Sequence, residues 1–151
     1  KTAKVFDVEK AELLVTYSGH GQAVRGVAFH PEGSEVYSSG ADNKVHRWKI
    51  ADGKKSADIG FGGEVFKLPR GGEFLFATSA DKTVRQFDAK SHKQIRSYSG
   101  HSDWVLSAAY HAGTKRLASG GFDGEVRVWN TEDGTLIQSF VAAPGYAPAG
   151  A

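Results

Sequence analysis

Three phrases in this chain close alike. "SGADNKVHRWK" (39–49), "TSADKTVRQFD" (78–88) and "GGFDGEVRVWN" (120–130) each pass from a small-residue and Asp turn into a β-rich run that ends near an aromatic residue. With Phe6 added, the closing aromatics Phe6, Trp48, Phe87 and Trp129 lie 42, 39 and 42 residues apart. A second marker precedes each full unit, at Gly19–His20, Gly60–Phe61 and Gly100–His101. From His20 to Trp48 is 28 residues, and from His101 to Trp129 is again 28. Two markers in one register establish an internal repeat. A period of about 40 residues makes each unit one supersecondary module that buries its apolar faces against its neighbours.

Within a unit, short β-like runs alternate with turn signals. The first full unit reads "VRGVAF" (24–29), "EVYSS" (35–39), "KVHRWKI" (44–50) and "KSADIGF" (55–61), separated by "HPEGS", "GADN" and "ADGK". The third reads "WVLSAAY" (104–110), "RLAS" (116–119), "EVRVWN" (125–130) and "TLIQSF" (135–140). Runs of this length, rich in Val, Tyr and Trp and punctuated by Gly and Asp, predict an all-β fold with four strands per unit. The first three strands are the more apolar, so the inner strands are expected to be buried on both faces and the fourth to meet water. "AKVFDV" (3–8) and "ELLVTYS" (12–18) align with a third and a fourth strand. The resulting division is 1–18 as the outer strands of a split unit, 19–59, 60–99 and 100–142 as full units, and 143–151 as a loose tail.

Composition narrows the function classes. Nineteen glycines against four prolines fit a turn-rich chain, and the absence of cysteine removes disulfides, thiolate metal sites and cysteine nucleophiles. Net charge is +2, with Lys and Arg scattered along the chain, so no block reads as a nucleic-acid or anionic-membrane footprint. No run approaches 18 apolar residues and no export signal opens the chain.

The period, the four strands, the Gly-His pair and the Trp at the end of the third strand resemble WD-repeat β-propellers over about 140 residues. The resemblance implies blades of four antiparallel strands, here three full blades and a half, belonging to a larger ring of seven. It also implies a hydrogen-bonded tetrad within a blade: the Trp donates to a second-strand Ser, the Ser bonds the His, and the His bonds the turn Asp. Carried over, one tetrad is Trp48, Ser38, His20 and Asp42, and the other is Trp129, Ser119, His101 and Asp123. Each Asp stands six residues before its Trp. A buried indole N–H without an acceptor costs about 1–3 kcal/mol, a hydroxyl and a neutral imidazole can each accept and donate, and a carboxylate is a strong terminal acceptor.

Unit two departs from this pattern. Phe87 replaces Trp, Phe61 replaces His and Ala77 replaces Ser, while Asp81 remains; Val65 to Asp81 is 16 residues where Val24 to Asp42 is 18. Losing donor, relay and acceptor together leaves no orphan polar group, so this unit is expected to be packed by apolar side chains, with Asp81 closing its turn.

Ser38, His20 and Asp42, like Ser119, His101 and Asp123, have the composition of a hydrolase triad. A Ser held inside a blade by a Trp has no cleft or oxyanion hole, so no catalytic residue is assigned. His30, His46, His92 and His111 lack metal-ligand spacing, the glycines at 60–63 and 71–72 match no phosphate loop, and "FDGE" (122–125) lacks a full calcium set. No cofactor and no metal are expected. Arg25, Arg47, Arg85 and Arg127 fall on strands and are expected to be solvated or stacked.

Propellers of this family bind partners on the face formed by the loops before strand one and between strands two and three. Here that face would carry Gln22, Glu64, Asp103, Trp104 and Phe122. Trp104 fits either an interface anchor or a cap that packs on the next blade. The expected partners are protein, together with further blades from upstream chain or another subunit; nucleic acid and membrane are not expected. "RVWNTEDGTLIQSFVAAPGY" (127–146) resembles the ends of bacterial multidomain chains, some joined to c-type haem domains. The alternative to a scaffold is therefore a propeller module of a larger enzyme or redox protein, its chemistry lying elsewhere because C-x-x-C-H is absent.

Overall fold

The computed structural model describes residues 1–142. The tail beyond, expected to be loose, lies outside the described residues. All regular structure among the described residues is β. No helix among the described residues is long and apolar enough to cross a membrane.

Strands β1 (Ala3–Asp7) and β2 (Glu12–Tyr17) form a two-stranded antiparallel sheet. Strands β3 (Val24–Phe29), β4 (Glu35–Gly40), β5 (Lys44–Lys49) and β6 (Lys55–Gly60) follow as a four-stranded meander. In the next sheet the first strand is broken into β7 (Val65–Lys67) and β8 (Arg70–Gly71), both paired with β9 (Phe74–Ser79), and β10 (Thr83–Asp88) and β11 (Gln94–Ser99) complete it. The break falls at Leu68–Pro69, where proline has no N–H to give the ladder; its carbonyl still accepts from Phe76 N at 2.9 Å. The last sheet is β12 (Val105–His111), β13 (Arg116–Gly121), β14 (Glu125–Asn130) and β15 (Leu136–Val141).

Alternation along the strands makes each central strand serve two interfaces. Val36 and Trp48 turn toward Ala3, Val5 and Tyr17 of the preceding sheet. Their neighbours Tyr37 and Val45 turn the other way, onto Val65, Leu75, Ala77 and Phe87. Phe76, Val84 and Tyr98 then meet Val105, Leu117 and Trp129. Three apolar clusters therefore sit between successive sheets, and the sheets stack face to face with inner strands β3, β7 and β12 as neighbours.

Local geometry repeats with the sequence. Every Trp or Phe at the end of a third strand is preceded by a register shift, between Val5 and Phe6, Arg47 and Trp48, Gln86 and Phe87, and Val128 and Trp129. Such a bulge re-aims the side chain that follows it. The residue after each turn Asp has positive φ: Asn43 (61°), Lys82 (70°) and Gly124 (76°). The turns between third and fourth strands do the same at Ala11, Gly53, His92 and Gly134.

Two expectations need correction. The innermost strands are not buried on both faces: β3 alternates between half-buried and exposed, β12 is largely open, and Val27 and Phe29 are more than half exposed. In the first two full sheets the second and third strands are the more buried ones, because they lie between sheets. In the last sheet β13 and β14 are mostly half-buried. The first strand has a free edge on the inner side. The middle unit is also not wholly apolar. Gln86 is buried and its Oε1 accepts from the Tyr98 hydroxyl at 2.6 Å.

Candidate functional site

In the first four-stranded sheet, Trp48 Nε1 donates to Ser38 Oγ at 3.0 Å, Ser38 Oγ lies 2.8 Å from His20 Nε2, and His20 Nδ1 lies 2.8 Å from Asp42 Oδ2. The ends fix the proton order. An indole N–H can only donate and a carboxylate can only accept, so His20 carries its proton on Nδ1 and receives the Ser38 hydroxyl at Nε2. Gly21 N adds a bond to Asp42 Oδ2 at 3.0 Å. The last sheet repeats the chain with Trp129–Ser119 at 2.9 Å, Ser119–His101 at 2.9 Å and His101–Asp123 at 2.9 Å. Burial pushes the carboxyls of Asp42 and Asp123 up, but the histidine and backbone N–H donors outweigh it and hold both below the usual range. Both serines are buried, so neither hydroxyl faces a cleft in which a substrate could meet it.

Asp81 does more than close a turn. It accepts from Thr83 Oγ1 at 2.6 Å and pairs with Arg85 at 2.7 Å, and the Arg85 guanidinium lies 4.2 Å from the centre of the Phe61 ring. Phe61, standing where the other units have His, thus becomes the platform for a cation.

The loop-face residues are only partly drawn together. Phe122 N donates to Trp104 O at 2.7 Å and the two rings are 6.1 Å apart. Trp104 is also 6.0 Å from Phe66 of the preceding sheet. Trp104 therefore packs on the neighbouring blade and still remains 48% exposed, with Phe122 at 52%. The repeat pattern does not single out Phe66. Its signal was present, since Val65 and Phe66 are adjacent in a strand and must point to opposite faces. Glu64 is engaged with Arg25 at 3.0 Å, Asp103 Oδ1 accepts from Trp104 N at 2.7 Å, and Gln22 is exposed in the loop before β3.

Other side chains meet where chain spacing gave no sign of it. His46 stacks on His20, rings 4.0 Å apart and 9° from parallel, and with Asp42 forms a group of metal-type ligands. His101, Asp123 and Glu125 form a second such group. Tyr17, from the half sheet, stacks on Trp48 at 4.8 Å and 4°.

Four-stranded antiparallel sheets stacked face to face around neighbouring inner strands, two of them tied by a Trp–Ser–His–Asp chain, are the blades of a β-propeller. The chain belongs to the WD-repeat family: the family described as "WD domain, G-beta repeat" matches residues 11–49 and 92–130, just over half of the sequence. Residues 60–91 of the middle unit lie between those matches. Among similar proteins, the transcriptional corepressor LEUNIG_HOMOLOG of Arabidopsis thaliana is 32% identical over 91% of this chain and 18% of its own length. Pre-mRNA-processing factor 19 of Caenorhabditis elegans is 25% identical over 93% of this chain and 30% of its own. The computationally designed Ika8 protein superposes with a TM-score of 0.81 at 26% identity, covering 93% of this chain and 43% of that one. The chain spans about a third of the length of the first curated relatives it matches. These relatives are eukaryotic, and the expected likeness to bacterial multidomain chains finds no support among them.

Proposed function

We propose that this chain is a non-enzymatic protein-interaction platform whose partner docks on the loop face bearing Gln22, Glu64, Asp103, Trp104 and Phe122, with Phe66 beneath. The observation that carries this reading is the half-exposed pair Trp104 and Phe122, resting on Phe66. Adjacent aromatics left in water, with a rigid sheet behind them, are the residue types and setting of interface anchors. The two tetrads and the Arg85–Asp81 pair are structural: they hold the blades at fixed length so that the loops stay in place. Scattered basic residues and a net charge of +2 favour a protein partner over nucleic acid. A relative named for pre-mRNA processing supports a place within a multi-component assembly. The free edge of β1, beside exposed Val27 and Phe29, is where two further strands would complete the split blade.

Affinity capture with the parent chain and with Trp104→Ala and Phe122→Ala tests the face. Each substitution is expected to weaken partner binding by about tenfold or more, a hot-spot loss above 1 kcal/mol. Unfolding midpoints of the variants should stay near the parent's. Undiminished capture by both variants would place the partner elsewhere.

A further inference from the structure

Four side-chain polar atoms of the first full blade are buried without a hydrogen-bond partner: Ser39 Oγ, Asp42 Oδ1, His46 Nε2 and Arg47 Nε. Arg47 Nε lies 2.7 Å from Glu35 in an ion pair. Asp42 and His46 are neighbouring side chains of one cluster, in which His20, Asp42 and His46 each offer one ligating nitrogen or oxygen within 4.8 Å of the others. His46 is 2% exposed, and its Nδ1 is engaged with the Tyr17 hydroxyl at 2.7 Å. Gly40 borders the cluster, where a Cβ would come within 3.0 Å of Asp42 Oδ1 and 3.2 Å of His20 Nδ1. Each unsatisfied buried group costs about 1–3 kcal/mol, and two in one place call for a common partner.

The other blades show what kind of partner fits. Counting back two residues from Trp48, Phe87 and Trp129 puts His46 in register with Arg85 and Arg127. Arg85 pairs with the turn carboxylate Asp81 at 2.7 Å, and Arg127 pairs with Glu125 at 2.7 Å. In the last blade both oxygens of Asp123 are hydrogen-bonded, to His101, Ser102 N and Glu125 N. Blades two and three thus carry a guanidinium beside a carboxylate at this position. Blade one carries an imidazole there, and one oxygen of its carboxylate is unmatched.

We propose that blade one supplies the missing cation by binding a divalent transition metal of the zinc class, with His46 Nε2, Asp42 Oδ1 and His20 Nδ1 as ligands. Two imidazole nitrogens and one carboxylate oxygen match zinc, whereas calcium and magnesium take oxygen sets. Coordination at His20 Nδ1 moves its proton to Nε2, which then donates to Ser38; that hydroxyl accepts from both His20 and Trp48 and turns its own proton away from His20. His46, ligating through Nε2, carries its proton on Nδ1 and donates it to the Tyr17 hydroxyl. No proton is gained or lost. The stacked rings must splay and the three atoms close to about 2 Å from a shared ion. Because His46 is bonded to Tyr17 of β2, the ion would clip the half blade to the first full blade.

The test is titration of chelator-treated intact chain with Co2+ as a spectroscopic probe, then with Zn2+ in competition. One equivalent should bind, with the visible absorption of a tetrahedral nitrogen and oxygen site, and should raise the unfolding midpoint. His46→Arg installs the residue type that the other blades use, so it should fold without metal and show no such absorption. His46→Gln should fold as well and bind more than about tenfold more weakly. Absence of one-equivalent binding by the parent overturns the proposal and leaves a bridging water to satisfy the two atoms. Equal binding by both variants also overturns it, since the metal would then sit on other histidines.

Discussion

A serine with two dependants is costly to lose alone. Removing the Ser119 hydroxyl would orphan both Trp129 Nε1 and His101 Nε2, each now within 2.9 Å of it. Ser119→Ala should therefore cost about 2–4 kcal/mol in chemical denaturation. The middle blade shows the compensated alternative, with Phe61, Ala77 and Phe87 at the three positions. The triple variant His101→Phe, Ser119→Ala, Trp129→Phe should accordingly cost less than the sum of its single changes, by about 1–2 kcal/mol. Full additivity would mean that the chain of bonds is not a coupled unit. His92 provides a pH effect at the same scale. Burial first, then the charge of Arg47 3.3 Å away and of His30, push its imidazole down to about 4 against the opposing pull of Glu35 and Asp88. The Tyr37 ring also faces it, at 4.9 Å. The depressed value favours the neutral ring in the folded state. This contribution is complete above the ordinary histidine value near 6.5 and is lost as pH falls toward 4, because the unfolded chain then takes up the proton first. His92→Asn suits the positive φ of 64° at this position and should flatten the stability profile over that window. An unchanged pH slope would assign the effect to other groups.

Hairpin turns set the length of each blade strand by strand. The position after the turn Asp is left-handed in all three full blades, where Asn43 and Gly124 are suited to it and Lys82 is not. Lys82→Gly should raise stability by about 0.5–1 kcal/mol, read from the denaturation midpoint. A loss would mean that the lysine side chain contributes more than the backbone strain. The third-strand bulges act at this scale too. They fall at the same place in every unit, including the one that has lost its Trp, so they belong to the blade and not to the tetrad. Phe87 keeps the inward aim that Trp48 has and fills the blade interface by shape alone.

The molecule as a whole keeps apolar surface uncovered at both ends of the stack. Val27 and Phe29 stand beside the free edge of β1, and Leu136, Ile137, Phe140 and Val141 are exposed along β15. An open strand edge and exposed apolar residues of this kind favour association. Prepared as these 151 residues alone, the chain should self-associate, and native mass spectrometry should show discrete or heterogeneous multiples of 16.2 kDa. A monodisperse 16.2 kDa monomer with cooperative unfolding would show that the three inter-blade clusters suffice by themselves.

Periodicity alone determined the all-β class and the four strands per blade, because a fixed interval between turn and aromatic leaves the chain one repeating way to pair its strands. The tetrads came from the resemblance to WD-repeat propellers rather than from the interval itself, and their Trp, Ser, His and Asp can meet because all four belong to one unit and its flanking loop. The interval said little about contacts between units. That Tyr17 stacks on Trp48, that Phe66 supports Trp104 and that Arg85 covers Phe61 depends on how adjacent sheets twist and pack, and no residue count within a unit encodes this. The closing phrase misled for the same reason: its Trp, turn and final strand are what any such blade needs, so they carry no likeness to bacterial multidomain chains in particular. His46 makes the distinction clearest. In the sequence it is an isolated histidine on a strand, and only the packed blade brings it onto His20 and Asp42, where burial turns an unpaired nitrogen into a chemical demand.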